Sequence, residues 1–187
     1  MNDKTQARKH YIGEMSAMNA HEKERQEQSM YAHLFNSAEW QSAKIIAVTK
    51  SQSIEVNTAP IIQQAIESNK KIVIPRTLPH RQMEFVLLDD DTKFKQKFGI
   101  DEPVNGQIYN QEQIDLIIVP GVSFASDHSR LGFGAGYYDR YLSKYGGNTV
   151  SLVLSAQIQG KITWPVDEFD VRIGHLIIAE GENNELE

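Results

Sequence analysis

Apolar positions along the chain change rhythm several times, and each change marks an element. From Asp3 to Met18, Tyr11, Met15 and Met18 recur at helical spacing, with Lys4 and Arg8 four apart on a neighbouring strip. Asn19 followed by Glu22 has the form of a capping box, and it opens a charged amphipathic helix over His21 to Phe35. Lys44 to Thr49 is a short apolar, β-branched run bounded by polar residues, the pattern of a buried strand. Thr58 is placed to cap a further helix, with Pro60 in its first turn and Ile61, Ile62, Ala65 and Ile66 on its inner face. Strands are expected at Ile72 to Ile74, Met83 to Leu88, Ile114 to Val119, Val150 to Leu154 and His175 to Ala179. The strand at Ile72 is expected to stop at Pro75, because proline cannot donate to a central ladder. Asp89 to Asn110 is polar and charged and reads as loops with short elements, and Gly121 to Gly134 reads as a long connection. A helix carrying Tyr137, Tyr138, Tyr141 and Leu142 follows it.

Strands that alternate with helices, several of them apolar throughout, imply an α/β three-layer sandwich with a mostly parallel central sheet and helices on both faces. Ligands of such sheets gather beyond the carboxyl ends of the strands, here near Thr49, Ile74 and Val119. With 187 residues and 40% hydrophobic content, the chain suits one core, so a single domain is expected over 1–187 with a frayed tail at about 181–187.

Charge narrows the partners. A formal charge of −6 argues against nucleic acid, which asks for a net basic surface. No segment approaches the roughly 20 apolar residues of a membrane span, and the opening MNDKTQARKH lacks the apolar core of a signal peptide, so a cytoplasmic protein is expected. With no cysteine, any catalysis falls to oxygen and nitrogen groups. The histidines show no paired metal-ligand spacing.

The candidate chemistry lies after Val119, where Gly132, Gly134 and Gly136 alternate just before a helical pattern. Glycines let backbone N–H groups approach an anion, and a following helix N-terminus favours phosphate. Arg130 and Arg140 flank the turn, and Asp139 adds a hard oxygen ligand suited to Mg²⁺. A tight strand-to-helix connection between surface arginines would have the same composition. The spacing is neither the dinucleotide fingerprint nor the Walker sequence.

The segment Arg130-Leu131-Gly132-Phe133-Gly134-Ala135-Gly136-Tyr137-Tyr138-Asp139-Arg140, preceded by an apolar strand and Pro120-Gly121, resembles the signature of the 5-formyltetrahydrofolate cyclo-ligases. Lys4-x-x-x-Arg8, Glu55-Val56-x-Thr58, Pro75-Arg76, Phe98-Gly99-Ile100-x-Glu102-Pro103 and Phe169-Asp170-Val171 match in order and separation. The resemblance implies an enzyme that cyclises 5-formyltetrahydrofolate to 5,10-methenyltetrahydrofolate with ATP and Mg²⁺. It places ATP against Lys4, Arg8 and the run Arg130, Leu131, Gly132, Phe133, Gly134, Ala135, Gly136, Tyr137 and Tyr138. It also implies catalytic roles for Arg130, Tyr137 and Tyr138, substrate contacts from Glu55, Arg76 and Tyr137, and Mg²⁺ near Asp139 and Asp170. Whether the protein is a monomer or a dimer is left open.

The chain departs from the family pattern at Ala125, at Ala135, where lysine is frequent, and at Phe169, where histidine is common. A module that binds folate or nucleotide without turnover, and an α/β enzyme acting on sugar phosphates or coenzyme A esters, are the alternatives.

Overall fold

A computed structural model describes residues 3–97 and 99–179. Phe98, the first residue of one of the motifs above, and the expected frayed tail at 181–187 lie outside them. The chain opens with helices α1 (Lys4–Ala17), α2 (Ala20–Asn36) and α3 (Ala38–Ser42). Strand β1 (Ile45–Ala47), helix α4 (Ala59–Glu67) and the strands β2 (Lys71–Leu78), β3 (Gln82–Leu87), β4 (Phe94–Lys97), β5 (Ile100–Pro103) and β6 (Ile108–Tyr109) follow. The second half holds β7 (Leu116–Ile118), β8 (Ser123–Ala125), β9 (Arg130–Leu131), α5 (Tyr137–Leu142), β10 (Asn148–Val153), β11 (Ile158–Gln159) and β12 (His175–Ile178).

The main sheet runs β12-β10-β7-β1-β2-β3-β6. Its first five strands pair in parallel, and β3 and β6 add antiparallel pairs at one edge. Alternate side chains of the central strands enter two separate cores, as the period of two requires. Ile46, Ile72, Ile74, Leu116 and Leu152 join Leu34 of α2, Trp40 of α3 and Ile61 of α4, whereas Ala47, Val73, Ile117 and Val153 join Leu142 of α5. Each large apolar side chain buried there contributes about 1.5–3 kcal/mol relative to exposure.

Proline does not end β2. The strand continues through Pro75 to Leu78, paired with β3 as Pro75 with Phe85 and Arg76 with Glu84. The carbonyl of Ile72 accepts from Leu88 on the β3 side, so the Pro75 nitrogen points to the β1 side. The β1 ladder has already ended there, at Ala47 opposite Val73, and no ladder bond is lost. The polar region from Asp89 to Asn110 is also more ordered than its composition indicates. It forms the β4–β5 hairpin and β6, with Lys50 ion-paired to Asp101 at 3.1 Å and lying over the Phe94 ring.

The connection after β7 is structured as well. Strands β8, β9 and β11 make a small sheet in the order β11-β8-β9. Helix α1 docks on it through Ala7 and Tyr11, which join Val122, Ala125, Leu131 and Trp164 in a third core. Asp3 starts that helix by accepting from Gln6 N at 2.8 Å. Asn19 caps α2 on the amides of His21 and Glu22, but the Glu22 carboxylate turns to Arg25 and Gln26, so only half of a capping box forms. Among the described residues no helix is long and apolar enough to cross a membrane.

Candidate functional site

The docking of α1 onto the small sheet carries Arg8 to the turn between β9 and α5, and Lys4 to Asp167 and Asp170. Arg8 Nε donates to the carbonyl of Gly132 at 2.7 Å. A Cβ on Gly134 would stand 3.4 Å from Arg8 Cζ, and one on Gly132 would stand 2.7 Å from Arg130 Nη1. Crowding by Arg130 therefore favours glycine at position 132, whereas Gly134 and Gly136 are required by their positive φ. Gly136 is the N-cap of α5 in the left-handed region, which turns the chain directly into the helix bearing Tyr137, Tyr138 and Asp139.

Arg130 is the most enclosed charge at the site, with 3% of its side chain exposed. Nη2 pairs with Asp139 Oδ1 at 3.0 Å, Nη1 donates to the Pro120 carbonyl at 3.2 Å, and the guanidinium carbon lies 5.8 Å from the centre of the Tyr138 ring. Arg130 Nε and the Tyr138 hydroxyl are buried without a hydrogen-bond partner among the described residues. A buried polar group left unpaired costs about 1–3 kcal/mol, which a ligand oxygen at either atom would offset. Burial pushes the Tyr138 phenol well above its ordinary pKa; Arg130 opposes that shift and the nearby charge of Glu55 adds to it. The charges of Arg130 and Glu55 therefore act on Tyr138 in opposite senses.

Glu55 lies beyond the carboxyl end of β1, on the wall of a cavity of about 530 Å³ formed with Met15, Met18, Lys23, Gln52 and Ile54. Burial raises its pKa above the usual carboxylate range, and the Gln52 amide and the charge of Lys23 draw it back only in part. A half-buried carboxylate facing a cavity is suited to accepting hydrogen bonds from a ligand's N–H groups.

The carboxylates expected near Mg²⁺ come from two elements joined by one bond. Asp139 Oδ1 accepts from Val171 N at 3.1 Å, which ties α5 to the loop carrying Asp170. Lys4 Nζ pairs with Asp170 at 2.7 Å and with Asp167 at 2.6 Å. Burial opposes the Lys4 charge, but its hydrogen bonds to Asp167 and Asp170 outweigh that and hold its pKa above the ordinary value. Among the described residues no three His, Cys, Asp or Glu side chains form a metal cluster. The contacts of Asp139 fall on Oδ1, and Oδ2 is the oxygen it can turn to a ligand. Asp170 is taken on both carboxylate oxygens by Lys4 Nζ, at 2.9 and 2.7 Å, so a carboxylate ligand for a cation that brings phosphate oxygens and water of its own is offered more readily by Asp139.

Other expected positions stand further back. Arg76 is ion-paired to Glu84 across the β2–β3 ladder. Phe133 is exposed, as are Ala135 and Arg140, while Leu131 is buried in the third core. Tyr137 packs against the second core. Thr58 is the N-cap of α4 without a side-chain cap bond, because its hydroxyl donates to the Thr49 carbonyl instead. Sequence reasoning missed Asp167 and Gln157. Gln157 is buried and donates to the Gly121 carbonyl at 2.7 Å, fixing the turn whose Pro120 carbonyl receives Arg130. No pattern in the sequence marks it, because its burial appears only once the chain is folded. A Cβ on Gly121 would come within 2.5 Å of the buried Phe124 ring, which is why the residue after Pro120 is glycine.

Comparison with known proteins supplies context for this arrangement. A profile of the 5-formyltetrahydrofolate cyclo-ligase family matches residues 1–179. A probable 5-formyltetrahydrofolate cyclo-ligase of Caenorhabditis elegans is 34% identical, covering 86% of this chain and 84% of its own. The 5-formyltetrahydrofolate cyclo-ligase of Haemophilus influenzae is 31% identical, covering 82% and 85%. The solution structure of Aquifex aeolicus 5,10-methenyltetrahydrofolate synthetase superposes with a TM-score of 0.81 at 28% identity, covering 94% of this chain and 89% of that one.

Proposed function

Because the chain belongs to the 5-formyltetrahydrofolate cyclo-ligase family, whose named members are enzymes, we propose that it converts 5-formyltetrahydrofolate and ATP into 5,10-methenyltetrahydrofolate, ADP and phosphate. The observation that carries this reading is the arginine-clamped glycine turn, where Arg130 Nε and the Tyr138 hydroxyl are buried without a partner among the described residues. The charge of Glu55, on the wall of the cavity, also acts on Tyr138. A phosphoryl donor held at the turn and a folate ring held at Glu55 would meet there. The α/β fold is read as three-layered, supported by the two cores that α2, α3, α4 and α5 build with alternate side chains of the sheet.

In the proposed reaction the formyl oxygen attacks the γ-phosphorus, an O–P bond forms as the bond to ADP breaks, and an imino-phosphate results. N10 then attacks the formyl carbon, the phosphate leaves with the C–O bonding electrons, and the N10 proton is released. Neither step needs a protein nucleophile. The protein contributes position and charge. Arg130 and Arg8, which both close on the turn, would neutralise phosphoryl oxygens, and glycine amides from 132 to 136 would donate to them. Lys4 acts on the phosphates from the Asp167–Asp170 side. Tyr137 and Tyr138 wall the meeting point, and Tyr138 offers its unpaired hydroxyl to the formyl oxygen. Glu55 orients the pterin ring through its N–H groups. A role for Arg76 asks it to share Glu84 with the substrate. Asp139 and Asp170 would hold Mg²⁺, which when bound would supply charge neutralisation on the transferred phosphoryl group.

The test is spectrophotometric. Purified protein with 5-formyltetrahydrofolate, ATP and Mg²⁺ is expected to develop the near-ultraviolet absorbance of methenyltetrahydrofolate, and omission of any one of the three abolishes it. Absence of product from folded protein that still binds ATP would point to a binding module instead.

A further inference from the structure

We propose that a stripe on α2, formed by Lys23, Glu27 and Tyr31, fixes the backbone on both sides of Glu55, with Glu27 as its central positioning residue. The inference rests on the reading that Glu55 holds the folate. Residues 23, 27 and 31 are one helical turn apart and share a face. Glu27 Oε1 accepts from Asn57 N at 2.9 Å, and Tyr31 Oη donates to Asn57 O at 2.5 Å. The peptide groups of a single loop residue are thus taken by two side chains of one helix. Lys23 Nζ donates to Ser53 O at 2.9 Å and pairs with Glu27 at 3.3 Å. The stripe therefore holds the chain two residues before Glu55 and two residues after it.

The loop itself is closed at its base by reciprocal bonds between Ser51 and Thr58, each side chain taking the other's amide at 3.0 Å. Between those ends Glu55 is tethered by its own bond to Gln52 N at 2.7 Å. The local bonds make the loop a ring but leave its position to α2. Glu27 is only 8% exposed, and a buried carboxylate is retained at a cost in desolvation unless its partners repay it. Its partners are Asn57 and Lys23, both of which act on this loop, and it also lines the cavity that Glu55 faces.

The alternative, that α2 merely docks and any break loosens it, has its own control in the same helix. Gln26 bonds Ser155 N and Ser155 Oγ, so Gln26→Ala loosens α2 without touching the Glu55 loop. Steady-state kinetics and calorimetric binding of 5-formyltetrahydrofolate, each with a melting curve, separate the two. Glu27→Ala is expected to raise KM and Kd for the folate about ten-fold, the loss of one charge-assisted bond at the site, with KM for ATP unchanged. Glu27→Gln, which keeps an acceptor for Asn57 N, restores most of that loss. Gln26→Ala lowers the melting temperature and leaves KM for the folate as in the wild type. Equal folate KM shifts in Gln26→Ala and Glu27→Ala, or a shift in ATP KM of the same size, would overturn the positioning role. A wild-type protein that gives no folate binding heat fails at the underlying reading, before any variant is compared.

Discussion

Replacing Arg130 by alanine is expected to reduce turnover by about three orders of magnitude or more, the scale seen when a phosphoryl-stabilising arginine or a single oxyanion donor is removed. The side chain is enclosed, ion-paired to Asp139, bonded to the Pro120 carbonyl and laid against Tyr138. Its Nε is a buried donor with no partner among the described residues. Removal also leaves Asp139 without its cation, and breaking a buried pair costs roughly 3–5 kcal/mol, less here because Asp139 keeps some contact with water. Lysine at position 130 keeps the charge but loses the planar fork, so Arg130→Lys should remain folded and still be severely slowed. Stopped turnover with preserved melting in the lysine variant is the diagnostic result. Wild-type kcat in both variants would take the glycine turn out of the chemistry.

Glu55→Gln should weaken folate binding while making the protein more stable at neutral pH. A hydrogen bond to a charged group is worth about 1.5–3 kcal/mol, so KM for the folate is expected to rise roughly ten- to one-hundred-fold. The stability effect follows from burial, which raises the folded-state pKa of Glu55 above its unfolded value. Between those two values the folded protein binds more protons than the unfolded one, so stability falls as pH rises through that window. Above the folded pKa the cost of the buried carboxylate is fully present, and glutamine does not carry it. The variant therefore melts higher than the wild type at neutral pH, and the gap closes in acid. In the wild type, folate binding should fade as pH drops through a pKa higher than that of an ordinary carboxylate, whereas the KM of the variant should stay flat there. Thermal melts and KM measured across the acidic range read both effects. A variant less stable than wild type at neutral pH, with an unchanged KM, would contradict this account.

The sequence disclosed the central strands because they are apolar on both faces and need no partner to be recognised. It disclosed the glycine turn because a Cβ at position 132 would crowd the enclosed Arg130 and because Gly134 and Gly136 adopt positive φ. The β4–β5 hairpin was illegible for the opposite reason. Lys93, Lys95 and Lys97 alternate with Phe94 and Gln96 in a two-stranded ribbon with little apolar surface, and it is held by Lys50 and by Thr77 bonded to Glu102. Pro75 misled the strand boundary because its consequence depends on which side of β2 its nitrogen faces, and that is set by where the β1 ladder stops. At the site, charged residues were readable as candidates but their partners were not. Lys4 is read from α1 alone, whereas Asp167 and Asp170, which hold it, lie more than 160 positions away. Likewise Glu27, Tyr31 and Lys23 look like ordinary positions of a charged helix until the loop they hold is in view.

The central claim is that the formyl oxygen takes the phosphoryl group between the glycine turn and the Glu55 cavity. It is tested most directly with 5-formyltetrahydrofolate labelled with ¹⁸O in the formyl group, incubated with the protein, ATP and Mg²⁺, and the released phosphate analysed by mass spectrometry. One ¹⁸O in each phosphate formed with methenyltetrahydrofolate is the predicted result, since the C–O bond breaks after the oxygen has joined phosphorus. Unlabelled phosphate, with the label released to water, would show that ring closure proceeds without phosphorylation of the formyl group.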